Sequence, residues 1–288
     1  MRCALIQLSS TKEIDHNLQV CRDLAEEARQ TGARWILFPE NAPFLGRDRD
    51  KIPIAENLDG PMVGAYRQMA RDLDAWITVG SFPEKSPDPQ RTYNTQVQIN
   101  PDGSIAAVYR KIHLFDVALN EAVNFMESHS VFPGREVATA EIEEEGRVHK
   151  VGLTICYDLR FPELYRALQK RGVQVLTVPS AFTLSTGHAH WHALIRARAI
   201  ENQCYVLAPN QWGHHYGNRH SFGQSTIYDP WGRCVACASD RVGFVIAELD
   251  FDYLSEIRRA MPVLSHRCIS ELDGAIPVAV DEDRSSSD

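Results

Sequence analysis

At 288 residues the chain is long enough for one large domain that buries about three quarters of its unfolded surface. Hydrophobic residues at 44% and charged residues at 24% exclude fibrous and disordered classes, and a net charge of -8 gives no global attraction to nucleic-acid phosphates. No segment approaches the roughly 20 apolar residues of a bilayer span, so neither nucleic acid nor membrane is expected as a partner.

The first element, CALIQLS (3–9), reads as a buried strand that turns polar too soon for a secretory signal. Ile14, Leu18, Cys21, Leu24, Ala25 and Ala28 then fall on one helical face, and WILF (35–38) opens a second strand after Gly32. A second helix (61–75) leads into the strand WITVGSF, and Pro101, Asp102 and Gly103 join two alternating runs as a hairpin. The second half repeats the plan. HKVGLTICYD reads as a strand, FPELYRALQKR as a helix, VQVLTVPS as a strand, AHWHALIRARAIENQ as a helix and CYVLAPN as a strand. QSTIYDPWGRCVACA forms a hairpin, GFVIAELD a last strand, and a helix runs from Tyr253 to about Met261. Strands interleaved with helices make an α/β layered domain, taken as 1–274, and the acidic, serine-rich segment 275–288 reads as a mobile tail. Seven cysteines spread along the chain fit free thiols in a reducing compartment, so a cytoplasmic location is expected.

Three polar residues stand at the ends of apolar runs. Cys156 closes the LTI strand just before a helix, where backbone N–H donors can lower a thiol pKa and receive a developing oxyanion. Glu40 follows WILFP, and Lys111 interrupts a mostly apolar run between IAAVYR and IHLF. Read singly, Cys156 is equally a core thiol, Glu40 a cap and Lys111 a cation reaching water at a sheet edge. Read together, a Glu, a Lys and a Cys at one sheet end would satisfy one another's charges and form an acyl-transfer site. The eleven histidines, including those in GHAHWHAL and WGHHYGNRH, occupy no comparable strand end, and no carboxylate or Cys spacing closes a metal site. The CVAC pair, Cys234 and Cys237, falls in a strand and lacks the setting of a redox motif.

Longer motifs carry a resemblance. FPEN at Phe38, YRKIHLFD at Tyr109, NFMESHSVFPG at Asn124, GLTICYDLRFPELYR at Gly152, PSAF at Pro179, TGHAHWHALIRARAIENQCYV at Thr186 and YDPWG at Tyr228 follow one another in order. In these the chain resembles the nitrilase superfamily of carbon-nitrogen hydrolases, and within it the deaminated glutathione amidases, from Arg2 to about Cys268. The resemblance implies a four-layer α-β-β-α sandwich, no metal or organic cofactor, and assembly as a homodimer or larger homo-oligomer. Helices bearing Tyr165, Arg166, Trp191, Arg196 and Arg198 are candidates for burial in such an interface.

The same resemblance implies Cys156 as nucleophile, Glu40 as general base and Lys111 as the cation facing the oxyanion with the Tyr157 backbone N–H. Glu127, otherwise a charged loop residue, becomes a second carboxylate beside the lysine. Arg160 is implied to receive a substrate carboxylate, with Phe182 and Thr186 lining the pocket. A salt bridge from Arg160 to Asp158 or Glu163 is the competing reading. The expected substrate is a small, carboxylate-bearing amide, foremost deaminated glutathione. Alternatives are the ω-amides 2-oxoglutaramate and 2-oxosuccinamate, N-carbamoyl or aliphatic amides, and a non-catalytic scaffold. An anionic substrate on an acidic chain calls for a local positive patch at the pocket. One departure stands out: His192 occupies a position that is glutamate in the AHWE of close relatives.

Overall fold

Alternation in the first strand sets the layering. In β1 (Arg2–Gln7), Cys3 and Leu5 turn into one hydrophobic cluster while Ala4 and Ile6 turn into another, and all four are fully buried. A strand buried on both faces must lie inside a layered stack. The computed structural model describes residues 1–120 and 123–267, so the proposed tail lies outside the described residues.

The first half comprises β1, α1 (Ile14–Gln30), β2 (Trp35–Leu37), α2 (Pro61–Leu73), β3 (Trp76–Lys85), β4 (Thr92–Ile99) and β5 (Ile105–Arg110). A small hairpin of β6 (Asp116–Asn120) and β7 (Val123–Met126) follows. The second half comprises β8 (Thr139–Glu144), β9 (Arg147–Leu153), α3 (Pro162–Lys170), β10 (Val175–Thr177), α4 (Leu184–Asn202) and β11 (Tyr205–Ala208). It continues with β12 (Trp212–Tyr216), β13 (Arg219–Phe222), β14 (Thr226–Tyr228), β15 (Cys234–Cys237), β16 (Gly243–Glu248) and α5 (Phe251–Ala260).

Two six-stranded sheets result, ordered β16-β1-β2-β3-β4-β5 and β15-β14-β11-β10-β9-β8. In each, three central strands run parallel and the flanking strands run antiparallel. The sheets stack with Leu5, Trp35 and Leu37 in the same cluster as Val151, Leu153 and Val175, and Gln96 Nε2 donates across the stack to Thr177 Oγ1 at 2.7 Å. The apolar faces of α1 and α2 cover the first sheet, and α3 and α4 cover the second. The fold is the expected four-layer α-β-β-α sandwich.

Local sequence explains the covering helices. Proline opens α2 and α3 at the first turn, where no N–H is needed. Met62, Val63, Tyr66, Met69 and Ala70 then form the buried stripe of α2, and Leu164, Tyr165 and Leu168 that of α3. Gly187 in α4 lets β13 pack closely, since a Cβ there would fall 2.3 Å from the Phe222 side chain.

The expectation for the interface needs correction. Tyr165 and Trp191 are fully buried inside the chain, and Arg198 is 5% exposed, its guanidinium donating to Leu159 O and Glu201 Oε1. These three serve the protomer's own core and are not available to a partner. The last helix also starts at Phe251, two residues earlier than expected, because Asp250 caps it by accepting from the N–H groups of Asp252 and Tyr253.

Candidate active site

The carboxyl ends of β2, β5, β9 and β10 converge at one edge of the sandwich. Past β2, Phe38 and Pro39 carry Glu40 inward. This segment crosses β3 so closely that a Cβ on Gly80 would lie 2.1 Å from Phe38 O. Lys111 directly follows β5. Cys156 follows β9 with a positive φ of 47°, a left-handed conformation that a side chain adopts at a cost, and its N–H donates to Pro179 O. The strand ends at Leu153, and a short 3-10 turn over Cys156–Arg160 precedes α3, so the thiol sits in that turn rather than on the strand.

Asp158 holds the turn in place. Its fully buried carboxylate accepts from Ile155 N–H at 2.9 Å, Tyr109 Oη at 2.7 Å and His113 N–H at 3.1 Å, with His113 Nδ1 2.7 Å away. The alternative in which Asp158 pairs with Arg160 is therefore excluded.

The structure brings Glu40, Lys111, Glu127 and Cys156 together. Lys111 Nζ donates to Glu40 Oε1 at 3.0 Å and to both Glu127 oxygens at 3.0 and 2.8 Å. Asn94 Nδ2 on β4 bridges the same carboxylates at 2.8 and 3.2 Å. Ala181 N–H donates to Glu40 Oε2 at 2.8 Å, and Phe115 N–H to Glu127 Oε2 at 2.7 Å. Two buried carboxylates against one ammonium leave a net negative charge, which these neutral donors distribute.

Each charge state has a cause. Burial opposes ionisation of Glu40, but the Lys111 charge and hydrogen bonds from Cys156 and Lys111 outweigh it and hold Glu40 well below the usual carboxylate range. Burial likewise opposes the Lys111 charge, yet Glu127 and Glu40 hold it well above the usual lysine value. The Cys156 thiol is pushed up, first by burial and then by the Glu40 charge, with Lys111 acting the other way. The resting site is thus a neutral thiol beside an ionised carboxylate and a charged lysine. Such a set can take a proton from sulfur as it attacks a carbonyl and stabilise the oxygen that gains charge.

Cys156 is 9% exposed and faces a pocket also lined by Tyr157, Arg160, Phe182 and Thr186. The Arg160 guanidinium lies 5.3 Å from the Phe182 ring centre and 5.8 Å from that of Tyr157, and Nη1 donates to His190 Nδ1 at 3.3 Å. No carboxylate among the described residues pairs with it. Lys51, Arg160 and Arg219 all line the pocket, which gathers positive side chains there on a chain of net negative charge.

Comparison with known proteins accounts for this arrangement. Residues 2–259 match the carbon-nitrogen hydrolase family. The chain belongs to that family. Human deaminated glutathione amidase is 41% identical over 268 residues, covering 92% of this chain and 81% of the human protein. The crystal structure of the Caenorhabditis elegans NitFhit protein superposes with a TM-score of 0.85 at 40% identity, covering 93% of this chain and 65% of that one. An amidase mutant from Nesterenkonia sp. AN1, solved after Michael addition of acrylamide at its active-site cysteine, gives a TM-score of 0.74 at 27% identity. That match covers 93% of this chain and 100% of the other. This carbon-nitrogen hydrolase is a cysteine-dependent amidase of the nitrilase superfamily.

Sequence reasoning missed three parts of the hydrolase site. Asn94, which bridges the carboxylates, was readable only as a polar position in an alternating strand. The sequence offers Asp158 only as a partner for Arg160. Arg219 lies in a hairpin that was not anticipated. His192 stands outside the pocket lining: its Nδ1 is 3.1 Å from Tyr228 Oη and its Nε2 2.6 Å from Gln224 Oε1. In this protein the departure from AHWE therefore bears on packing between α4 and β14. Among the described residues no group of three or more His, Cys, Asp or Glu is placed to hold a metal, and no helix is long and apolar enough to cross a membrane.

Proposed function

We propose that this amidase hydrolyses deaminated glutathione to 2-oxoglutarate and cysteinylglycine, with Cys156 as nucleophile, Glu40 as general base and Lys111 as the electrophilic cation. The supporting observation is Arg160, a pocket guanidinium without a carboxylate partner among the described residues, displayed over Phe182 in the pocket that holds the sulfur. Its planar fork suits the carboxylate of a keto acid at the far end of the acyl group, and Thr186 lines the same wall.

Glu40 takes the thiol proton as Cys156 Sγ bonds to the amide carbon, and the oxygen gains charge opposite Lys111 and the Tyr157 N–H. Glu40 returns that proton to the leaving nitrogen, the C–N bond breaks, and cysteinylglycine departs from a thioester. Water then gives a proton to Glu40 and attacks the thioester carbon. Collapse releases 2-oxoglutarate, and the thiolate recovers the proton from Glu40. Glu127 keeps Lys111 charged and aimed throughout.

The test is a kinetic comparison of deaminated glutathione, 2-oxoglutaramate and neutral aliphatic amides in the wild type and in Arg160→Leu. Losing a charge-assisted hydrogen bond should lower kcat/KM for the keto-acid amides by roughly 10- to 100-fold while changing neutral amides by less than about threefold. Equal losses on both sets would remove the carboxylate clamp. Faster turnover of 2-oxoglutaramate than of deaminated glutathione would make the protein an ω-amidase.

A further inference from the structure

A second guanidinium faces the same pocket and is not used by the chemistry above. Arg219 begins β13 and lines the catalytic pocket. Its guanidinium lies 4.5 Å from the centre of the Phe125 ring, and its Nε is buried without a hydrogen-bond partner among the described residues. A buried, unpartnered donor on a cation is costly unless a ligand supplies the acceptor.

Arg219 and Arg160 mark the ends of an aromatic wall. Phe125 packs on Phe115 with ring centres 5.4 Å apart, Phe115 packs on Tyr157 at 5.0 Å, and Tyr157 lies beneath Arg160. The two cations stack on different rings of that wall, so each can take a carboxylate of its own. The reacting sulfur serves the same pocket, so an amide with a carboxylate on each side of its scissile bond would meet both. Phe125 and Thr183 also line a neighbouring groove bounded by Leu184, His188 and His220, which offers a leaving group larger than ammonia somewhere to lie.

We propose that Arg219, held over the Phe125 ring, binds the carboxylate of the leaving amine, so that the enzyme selects amides whose amine portion ends in an anion. This rests on the amidase reading above and on Arg160 serving the acyl side. It makes Arg219 a specificity determinant that acts before the C–N bond breaks.

The test uses the acyl group that the wild type accepts best, joined either to cysteinylglycine or to cysteinylglycinamide, which lacks the terminal charge. Wild type should favour the carboxylate form by about tenfold or more in kcat/KM, and Arg219→Gln should reduce that preference to within about twofold. Arg219→Lys should keep part of it, because charge survives while the fork is lost. The matching primary amide has no leaving-group carboxylate, so its kcat/KM should fall by less than that of the cysteinylglycine form in both variants, and unchanged thermal unfolding reports an intact fold. The inference is overturned if wild type shows no preference, if Arg219→Gln retains it, if primary-amide turnover falls in parallel, or if no amine larger than ammonia is released. A preference seen with an acyl group other than 2-oxoglutaryl would overturn the proposed substrate and leave the role of Arg219 supported.

Discussion

Cys156→Ala is expected to reduce turnover of every amide substrate by about 10^5-fold or more, because water would have to attack an unactivated amide directly. The fold should survive. Alanine adopts the left-handed backbone at this position about as readily as cysteine, and Glu40 keeps its bonds to Lys111, Asn94 and Ala181. Stability should stay within about 1 kcal/mol of wild type. Ligand binding should persist, since Arg160 and the aromatic wall are untouched. Paired measurements of turnover, thermal unfolding and ligand affinity check this. Retained turnover would remove Cys156 from the mechanism.

Lys111→Met has a different signature, because it strips two buried carboxylates of their shared cation. Breaking a buried ion pair from one side costs about 3–5 kcal/mol, and losing the oxyanion-facing charge should lower kcat by a further factor of about 10^2–10^3 in whatever protein folds. The pH dependence carries the diagnosis. In wild type Glu40 is held below its unfolded value, so its contribution to stability is present above the ordinary carboxylate range and is lost as pH falls toward the folded value. Lys111 is held above its unfolded value, so its contribution is complete below the ordinary lysine range and fades only in strong alkali. Without the lysine, the largest influence opposing burial at Glu40 is gone and its pKa rises. The variant then loses stability as pH rises through the carboxylate range. Urea unfolding should show the largest gap between wild type and variant near neutrality and a smaller one near about pH 4. An equal gap at both would mean that Lys111 acts through packing alone.

How legible the site was depended on whether a residue's role is local. Glu40, Lys111 and Cys156 each follow an apolar run, and a strand that delivers a polar group to its carboxyl end can be read along the chain. The layered plan was readable for the same reason, since helical and strand periods alternate in both halves. Glu127 needed the family resemblance, because its purpose depends on Lys111 folding back to it across the β6–β7 hairpin. Asp158 took on its role only when Tyr109 and His113 arrived from the end of the other sheet. The strand β8 was overlooked although Ala140 and Ile142 alternate with glutamates, since the acidic charge obscured the period of two. The β12–β13 hairpin, rich in His and Gly and partly exposed, forms a two-stranded sheet of its own and shows no such alternation. Arg219 was hidden with it.

The central claim is that the amide carbon becomes bonded to Cys156 during turnover. Rapid quenching of the enzyme with a slowly deacylating substrate, followed by proteolysis and mass spectrometry, tests it directly. The peptide containing Cys156 should carry the acyl mass in the steady state, and the adduct should decay at the rate of acid release. Turnover with that peptide unmodified, or with the acyl group on another residue, would contradict the account.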